Sequence, residues 1–372
     1  LAIDSSGIRK VFDLARSLKD PINLSIGQPD FEVPAAVKQA CIDAINSGHN
    51  GYTPTQGLPA LREKLQAAID ATYPHDDRKA FVSSGTSGGL VLAMQALVNP
   101  GDEVILFDPF FVMYEPLVQL VGGVPILIDT YPHFRIDLER VEAAITDRTK
   151  LMLLNSPSNP TGCVATQEEV AGLARICEQH NIALISDEIY REFTYDDNFV
   201  SPAEFNPATI VIDGFSKSHA MTGWRLGVAH GPQEVIDAMI KIQQYSFVCA
   251  PQPVQWAGLT AIDTGIGEHV DQYRSKRDRI VTALSAKYEI ETPGGAFYVF
   301  PKVPSGTATD FTTRAIEHNL LLIPGNIFSN HDTQIIISFI NEVMNTYFFN
   351  IYLMCWNTFS FINFGIFFTM IV

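Results

Sequence analysis

The sequence predicts an α/β fold in which a mainly parallel β-sheet lies between two layers of helices, with a second, smaller α+β unit. From about Lys79, short apolar runs alternate with amphipathic helical patterns. Continuous apolar strands separated by helices are typical of a parallel sheet that is covered on both faces. The smaller unit is predicted by two late stretches, the strand-like "GAFYVFPKV" and the helical "DFTTRAIEHN".

The predicted elements of the large sheet follow one another in a regular order. Strands and helices alternate as "AFVSSG", "GGLVLAMQALV", "DEVILFD", a helix through "EPLVQLV", "VPILID", "DLERVEAAI", "KLMLLNSP", "QEEVAGLARICEQHN", "IALISDEIY" and the further strand "TIVIDGF". Two helical stretches, "PQEVIDAMIKIQQYS" and "EHVDQYRSKRDRIVTALSAK", lead on to the smaller unit. We predict that residues 1–30 form an N-terminal arm and part of the small domain, 31–285 the large domain, 286–340 the small domain, and 341–372 an atypical apolar tail.

Composition excludes several classes of protein. The 372 residues are 47% hydrophobic and 18% charged, as in a globular protein, and a net charge of -16 argues against a nucleic-acid partner. Five cysteines are scattered and odd in number, and nine histidines are equally dispersed. Because neither set has disulfide or metal-ligand spacing, we expect no metal site and a cytoplasmic location.

The C-terminal segment is unusual. Residues 347–372 carry no charge and have the length of a membrane span, but they contain three asparagines and lack flanking cationic anchors. A membrane contact by this tail is therefore the less favoured interpretation.

Polar clusters end four of the apolar runs, at the places where ligands gather in such sheets. In "SSGTSGG", the backbone amides of Gly85, Thr86 and Ser87 can bind an anion at a helix start, although a plain turn explains the same residues. In "SDEIY", Asp187 follows a buried strand and needs a cationic partner, such as a protonated ring nitrogen, unless the strand end is solvated. Tyr190 can donate a hydrogen bond to the same ligand.

Lys217, in "GFSKSHAMTGWRLG", completes this set. A lysine that forms a Schiff base needs a lowered pKa, which burial and a neighbouring cation such as Arg225 supply. Taken alone, Lys217 is best explained as a surface charge, and Asn159 in "NSPSNPTG" as a turn residue. Together the motifs supply a phosphate cradle, a partner for a ring nitrogen, partners for a ring hydroxyl, and an amine for an aldehyde. Those are the parts of pyridoxal 5'-phosphate.

From Ser25 to Thr333 the chain resembles the fold-type I pyridoxal-phosphate enzymes of the class I/II aminotransferase family. The resemblance rests on eight motifs in the family's order: "LSIGQPDF", "GYTPTQGLPALREKL", "SSGTSGG", "PFFVMY", "NSPSNPTG", "SDEIY", "GFSKSHAMTGWRLG" and "GGAFYVF". It implies transamination between an L-amino acid and a 2-oxo acid, with residues 31–285 as the cofactor-binding domain. The alternatives are a pyridoxal-phosphate β-lyase acting on cysteine conjugates, and a non-catalytic cofactor-binding protein.

The resemblance also implies roles for individual residues. Lys217 would form the internal aldimine, and Asp187 would pair with the pyridine nitrogen. The ring would be held by Phe111, Asn159 and Tyr190, and the phosphate by Gly85, Thr86, Ser87, Ser216 and Arg225. Tyr52 would reach the phosphate of a neighbouring subunit, which implies a homodimer. The substrate would be bound by Gly27 and Asn159.

In two places the chain departs from the family pattern. The family has a run like "DTHFRIS", whose arginine binds the substrate α-carboxylate, whereas this chain has "DTQIIIS" with Ile336 at that place. We therefore expect the cofactor to bind but amino acids to be turned over poorly. Gly214 stands where some relatives carry a serine that contacts the phosphate, so Ser216 and Arg225 would hold it here.

Overall fold

The computed structural model describes residues 18–19, 21–75, 77–196 and 198–340, so the predicted tail, 341–372, and most of the N-terminal arm lie outside the described residues. Ten α-helices are described: α1 Ala35–Asn46, α2 Pro59–Thr72, α3 Gly85–Leu97, α4 Tyr114–Leu120, α5 Leu138–Ala143, α6 Gln167–Gln179, α7 Gln233–Tyr245, α8 Gln252–Ile262, α9 Gly267–Leu284 and α10 Ala308–Glu317. The described strands are β1 Ile22–Asn23, β2 Arg78–Ser84, β3 Glu103–Asp108, β4 Val124–Asp129, β5 Thr149–Asn155, β6 Ala183–Asp187, β7 Ile210–Gly214, β8 Leu226–Pro232, β9 Tyr298–Val299, β10 Leu320–Leu321, β11 Ile323–Pro324 and β12 Ile335–Ser338.

A seven-stranded sheet forms the centre of the large unit, in the order β2-β8-β7-β6-β5-β3-β4. Strands β4, β3, β5, β6 and β7 pair in parallel, and β8 runs antiparallel to both of its neighbours. This confirms the predicted mainly parallel sheet.

The central strands are apolar along their whole length because both faces are covered. In β3, Val104 and Leu106 pack into a core with α3 and α7, whereas Ile105, between them, packs into a different core with α6. All three side chains are fully buried. Successive side chains of a strand point to opposite faces, so a continuous apolar run is what a sheet between two helix layers requires.

Local sequence signals fix the ends of the helices that cover the sheet. Helix α6 begins with a capping box, in which Thr166 accepts from the backbone of Glu169 and the Glu169 side chain accepts from the backbone of Thr166. Glu169 also accepts a hydrogen bond from the backbone of Ile136, 2.7 Å away, and so ties the helix to the segment after β4.

The small unit contains the antiparallel sheet β11-β12-β9, and β1 pairs in parallel with β10. Its core includes the buried aromatic side chains Phe297, Phe300, Phe311, Phe328 and Phe339. The pairing of β1 with β10 joins an N-terminal segment to this unit, while the four domain boundaries themselves stay a prediction.

No described helix is long and apolar enough to cross a membrane. No group of three or more His, Cys, Asp or Glu side chains within the described ranges could hold a metal ion.

Candidate active site

A cavity of about 260 Å³ lies at the carboxyl ends of the large-sheet strands and is closed on another side by the small sheet. Strands β5 and β6 end at it, the segment after β7 enters it, and α3 begins beside it. Ten of the twelve predicted site residues line it: Gly27, Thr86, Ser87, Phe111, Asn159, Asp187, Tyr190, Ser216, Lys217 and Arg225.

One end of the cavity is built for an anion. Gly85 opens helix α3 with a φ of +72°, and a Cβ there would lie 2.4 Å from Nη2 of Arg225, so the guanidinium packs directly on this glycine. Arg225 follows a short 3-10 turn, and its Nη1 donates to the carbonyl of Thr222, 3.0 Å away. The buried Oγ1 of Thr86 has no hydrogen-bond partner. A helix N-terminus, a guanidinium and an unused hydroxyl therefore converge here.

The end of β6 places a buried carboxylate in the cavity. Asp187 is 3% exposed, and burial raises its pKa to about 6. It accepts hydrogen bonds from the hydroxyl of Tyr114 at 2.8 Å and from the backbone of Ile189 at 3.3 Å, and both favour its charged form. A carboxylate in this position is suited to a cationic ring nitrogen.

Lys217 is partly buried and points into the same cavity. Its Nζ donates to the carbonyl of Gly27 at 2.5 Å. Burial lowers the pKa of Lys217 to about 8; Asp187 opposes this effect and Arg225 adds to it. About a tenth of the amine is therefore uncharged at pH 7, far more than for a lysine with the usual pKa of 10.5, and the neutral form is the one that acts as a nucleophile or a base.

Polar groups that could receive a ring hydroxyl line the same cavity. The hydroxyls of Tyr190 and Tyr298 are 2.8 Å apart, and the buried Oδ1 of Asn159 has no hydrogen-bond partner. Burial raises the pKa of Tyr190 well above its usual range, so the phenol stays protonated. Phe111 lies edge to face with Tyr114, with ring centroids 5.6 Å apart.

Several residues that position this site were not predicted from the sequence. Asn155 donates to the backbone carbonyl of Asp187 at 2.9 Å and accepts from the backbone of Asn159 at 2.8 Å, so it fixes the turn that follows β5. Asn155, Tyr114 and Tyr298 each belong to a motif quoted above, namely "NSPSNPTG", "PFFVMY" and "GGAFYVF". The motifs indicated that these segments belong to the site. The role of each of the three residues, however, follows from its contacts, which are known only from the structure.

Ile336 lies in the cavity wall formed by the small sheet. It is paired across β11 and β12 with Ile323, and both side chains are buried and line the cavity. The residue at the predicted arginine place therefore does face the site, and it is apolar.

Two predicted residues do not line the cavity. Gly85 lies beneath Arg225, as described. Tyr52 is 86% exposed, so its predicted contact with a neighbouring subunit's phosphate stays a prediction.

The structure explains why residue 214 is a glycine: a Cβ there would meet the carbonyl oxygen of Leu226 at 2.9 Å and the Cα of Gly227 at 3.1 Å. A serine at this place would require the neighbouring backbone to shift.

The fold and this site define a pyridoxal-phosphate enzyme of the fold-type I class. The family described as aminotransferase class I and II matches residues 19–350, and the chain belongs to it. A putative aminotransferase of Bacillus subtilis, YugH, is 40% identical over 88% of both chains. A probable aspartate aminotransferase of Methanocaldococcus jannaschii is 39% identical over 88% of this chain and 90% of that protein. A mutant aspartate aminotransferase of Thermus thermophilus superposes with a TM-score of 0.90, at 33% identity over 95% of this chain and 97% of that one.

The protein is accordingly a transaminase with pyridoxal phosphate as its cofactor. When bound, this cofactor supplies an aldehyde that bonds to amino groups and a ring that delocalises negative charge from the reacting carbon. The cavity fits the cofactor for two reasons. Thr86 Oγ1 and Asn159 Oδ1 are buried polar atoms that lack hydrogen-bond partners. The Arg225 guanidinium packs against the start of α3 at Gly85, where a side chain would collide with it.

Proposed function

We propose that the protein acts as a homodimer that moves the amino group of an apolar amino acid to a 2-oxo acid, at a rate limited by Ile336. The observation that carries this proposal is the Lys217 amine. It has a pKa of about 8 and shares one cavity with the buried Asp187. This chain thus supplies both an amine that loses its proton far more easily than an ordinary lysine and a carboxylate for a ring nitrogen.

Each group of residues in the cavity would have a separate role. Arg225, Thr86 and the start of α3 would bind the phosphate group, and Asp187 would hold the ring nitrogen in its protonated form. Lys217 Nζ, in its neutral form, would take a proton from the reacting carbon of the substrate and deliver it to the carbon of the cofactor that carries the aldehyde. The Tyr190–Tyr298 hydroxyl pair would hydrogen-bond to the ring hydroxyl.

An apolar rather than an acidic amino acid follows from the charges of the cavity. Several relatives are named aspartate aminotransferases, and aspartate carries two carboxylates. Among the described residues, the cations that line this cavity are Lys217 and Arg225, and both have roles toward the cofactor. Isoleucine at 336 and 323 instead favours apolar substrate groups.

Exposed apolar side chains support a dimer. Tyr245, Phe247 and Val248 are 89%, 39% and 42% exposed and follow one another at the end of α7. The loop that carries Tyr52 lies beside this segment, because the backbone of Gly51 donates to Gln252 at 3.0 Å. Such a patch is typical of a subunit interface, and Tyr52 would enter the partner's site from it.

We also propose a cytoplasmic location. The four cysteines within the described residues, Cys41, Cys163, Cys177 and Cys249, are free thiols, as a reducing compartment favours.

A single-turnover experiment tests the proposed reaction. Cofactor-loaded protein is mixed with leucine and no acceptor, and the expected result is up to one 4-methyl-2-oxopentanoate released per subunit with no free ammonia. Lys217→Ala should release none. Pyruvate and ammonia from a cysteine S-conjugate, without oxo acid from leucine, would support a β-lyase instead. Light scattering at graded concentrations, with Tyr245→Lys as the interface variant, tests the dimer.

A further inference from the structure

Tyr298 brings a phenol hydroxyl from the small sheet into the cavity. It lies on β9, where it pairs with Ser338 of β12, and its side chain is buried and lines the cavity. Strand β12 also carries Ile336, which with Ile323 forms an apolar wall of the cavity. The small sheet therefore contributes a polar group as well as this apolar wall.

Two neighbours fix the position of the Tyr298 hydroxyl. Its oxygen is 2.8 Å from the hydroxyl oxygen of Tyr190, and the two rings lie edge to face with their centroids 5.7 Å apart. A Cβ on Gly27 would lie 2.1 Å from the same Tyr298 oxygen, so only glycine leaves room for this hydroxyl. The carbonyl of Gly27 in turn accepts from Nζ of Lys217. Tyr298 thus packs on the segment whose backbone binds Lys217.

Tyr190 belongs to the turn that follows Asp187 and lies beside Lys217. The Nζ of Lys217 is 5.6 Å from the centroid of the Tyr190 ring, and Asp187 ends β6 three residues earlier. Burial raises the pKa of both phenols, Tyr190 and Tyr298, so each keeps its proton.

Each hydroxyl of this pair has one proton to donate, so one donates to the other and the accepting hydroxyl keeps its proton for a third group. A Tyr298 proton directed away from Tyr190 would face Gly27, which has no side chain to accept it. A Tyr190 proton directed away from Tyr298 faces the cavity beside Lys217. The arrangement therefore favours Tyr298 as the donor and Tyr190 as the acceptor.

We propose that Tyr298 is a positioning residue of the cofactor site. Its hydroxyl donates to Tyr190, directs the Tyr190 proton at the ring hydroxyl of the bound cofactor, and so lowers the proton affinity of the cofactor-bound Lys217 nitrogen. The inference rests on the proposed function, in which this pair binds the ring hydroxyl, and it adds the order of the two hydroxyls and their effect on Lys217.

The effect on Lys217 follows from the charge of the ring oxygen. This oxygen is attached next to the ring carbon that bears the aldehyde, and Lys217 bonds to that aldehyde. A hydrogen bond to the ionised oxygen stabilises its negative charge, so the neighbouring nitrogen holds its proton less tightly. Successive hydrogen bonds polarise one another, and donation by Tyr298 therefore strengthens the bond that Tyr190 makes by about 10–30%.

The absorbance of the bound cofactor provides the test, because it changes when the nitrogen of cofactor-bound Lys217 loses its proton. Each protein is loaded with pyridoxal phosphate and titrated over a range of pH without substrate. Tyr190→Phe should raise the midpoint by about 1–2 pH units, the value of one hydrogen bond to a charged group. Tyr298→Phe should raise it by about 0.1–0.6 pH unit, since it weakens that bond without removing it. The other described titratable groups that line the cavity, Tyr114, Asp187 and Arg225, are the same in every variant.

A double variant shows whether Tyr298 acts through Tyr190. The protein with both Tyr190→Phe and Tyr298→Phe should have the midpoint of Tyr190→Phe alone, because the second hydroxyl then has nothing to polarise. Tyr195→Phe is the matched control. Tyr195 is a buried tyrosine of the same core, its hydroxyl donates to the backbone of Ala296, and it is not among the residues that line the cavity. Its variant should keep the wild-type midpoint.

A second variant breaks the same contact without altering Tyr298. Gly27→Ala places a Cβ 2.1 Å from the Tyr298 hydroxyl, so it should separate the two hydroxyls and raise the midpoint at least as much as Tyr298→Phe does. Phenylalanine at 298 keeps the ring that packs on Tyr190 and Phe297, so that variant is expected to fold.

The outcomes separate this inference from the proposed function. A Tyr298→Phe midpoint equal to that of wild type would mean that Tyr298 does not act on the cofactor. A double variant shifted by the sum of the two single shifts would mean that Tyr298 contacts the cofactor itself. Either result overturns the inference while transamination stands. If the Lys217→Ala protein shows the same titration as wild type, the cofactor is not bonded to Lys217, and the proposed function fails together with the inference.

Discussion

Asp187→Asn should stabilise the cofactor-free protein while weakening its hold on the cofactor. The carboxylate is buried, and burial raises its pKa from the usual 3.8 to about 6. An asparagine at this place removes the buried charge and keeps an oxygen that accepts from the Tyr114 hydroxyl, now at 2.8 Å, while the longer bond from the Ile189 amide, at 3.3 Å, is lost. The buried charge of Asp187 therefore lowers the stability of the cofactor-free protein, and a cationic ligand offsets this loss.

The size and pH dependence of this cost follow from the two pKa values. At about 1.4 kcal/mol per pH unit, moving the pKa from 3.8 to about 6 corresponds to about 3 kcal/mol of unfolding free energy. A carboxyl group whose pKa is higher in the folded state binds its proton more readily there. The cost is thus absent below pH 3.8, about half present at pH 5, and complete above about pH 6.

Chemical denaturation of the apo-protein at pH 8 and pH 5 measures this effect. We expect Asp187→Asn to raise the unfolding free energy by about 1–3 kcal/mol at pH 8 and by about half as much at pH 5. Asp70→Asn, at an exposed position of α2 that also accepts a side-chain hydrogen bond, is the control and should change stability little. Cofactor affinity should fall roughly 10- to 150-fold, the value of one charge-assisted hydrogen bond. An apo-variant less stable than wild type at pH 8, or equally stabilised at both pH values, would refute the reasoning.

Three further predictions concern single residues of the cavity. Ile336→Arg should raise kcat/KM for leucine at least tenfold, because a charge-assisted hydrogen bond contributes about 1.5–3 kcal/mol, and the neutral Ile336→Gln should not; equal rates in all three proteins would mean that residue 336 does not contact the carboxylate. In the apo-protein, the rate at which Lys217 is trapped by a small aldehyde and borohydride should rise as the pH increases through about 8, and a midpoint near 10 would contradict the effect of burial. Gly85→Ala should lower cofactor affinity at least tenfold, since its Cβ would displace the Arg225 guanidinium from 2.4 Å, whereas Gly267→Ala, with open space around it, should not; titration with pyridoxal phosphate distinguishes them.

Much of the fold was predictable because it depends on local patterns. Buried strands with two covered faces must be apolar throughout, so β3, β5 and β6 were visible as continuous apolar runs, and the parallel order followed from the helices between them. The antiparallel direction of β8 was not predicted. The apolar content of "RLGVAHG" is the same for either direction, and only its pairing with β2 and β7 determines it.

The site residues, too, fall into those that the sequence predicted and those that it did not. Asp187 was predicted because a carboxylate at the end of a buried strand demands a cationic partner, and Lys217 and Arg225 were predicted only from the full set of motifs and the family resemblance. Tyr114, Asn155 and Tyr298 were not, since nothing in a single tyrosine or asparagine distinguishes a partner of Asp187 or Tyr190 from an ordinary turn or core residue. Their contacts, such as the 2.8 Å separation of the Tyr190 and Tyr298 hydroxyls, join residues 108 positions apart in the sequence.

The separate origins of the two cavity walls explain how this chain can lose a substrate contact and keep a complete cofactor site. The groups suited to the cofactor come from the large sheet, where Asp187 ends β6, Lys217 follows β7 and Arg225 precedes β8. Ile336 comes from β12, which pairs with β11 and β9 of the small sheet and with no strand of the large sheet. A side-chain change at that position alters the apolar wall without disturbing any strand of the large sheet. A change at position 336 can therefore alter the apolar wall of the cavity while the groups suited to the cofactor are retained.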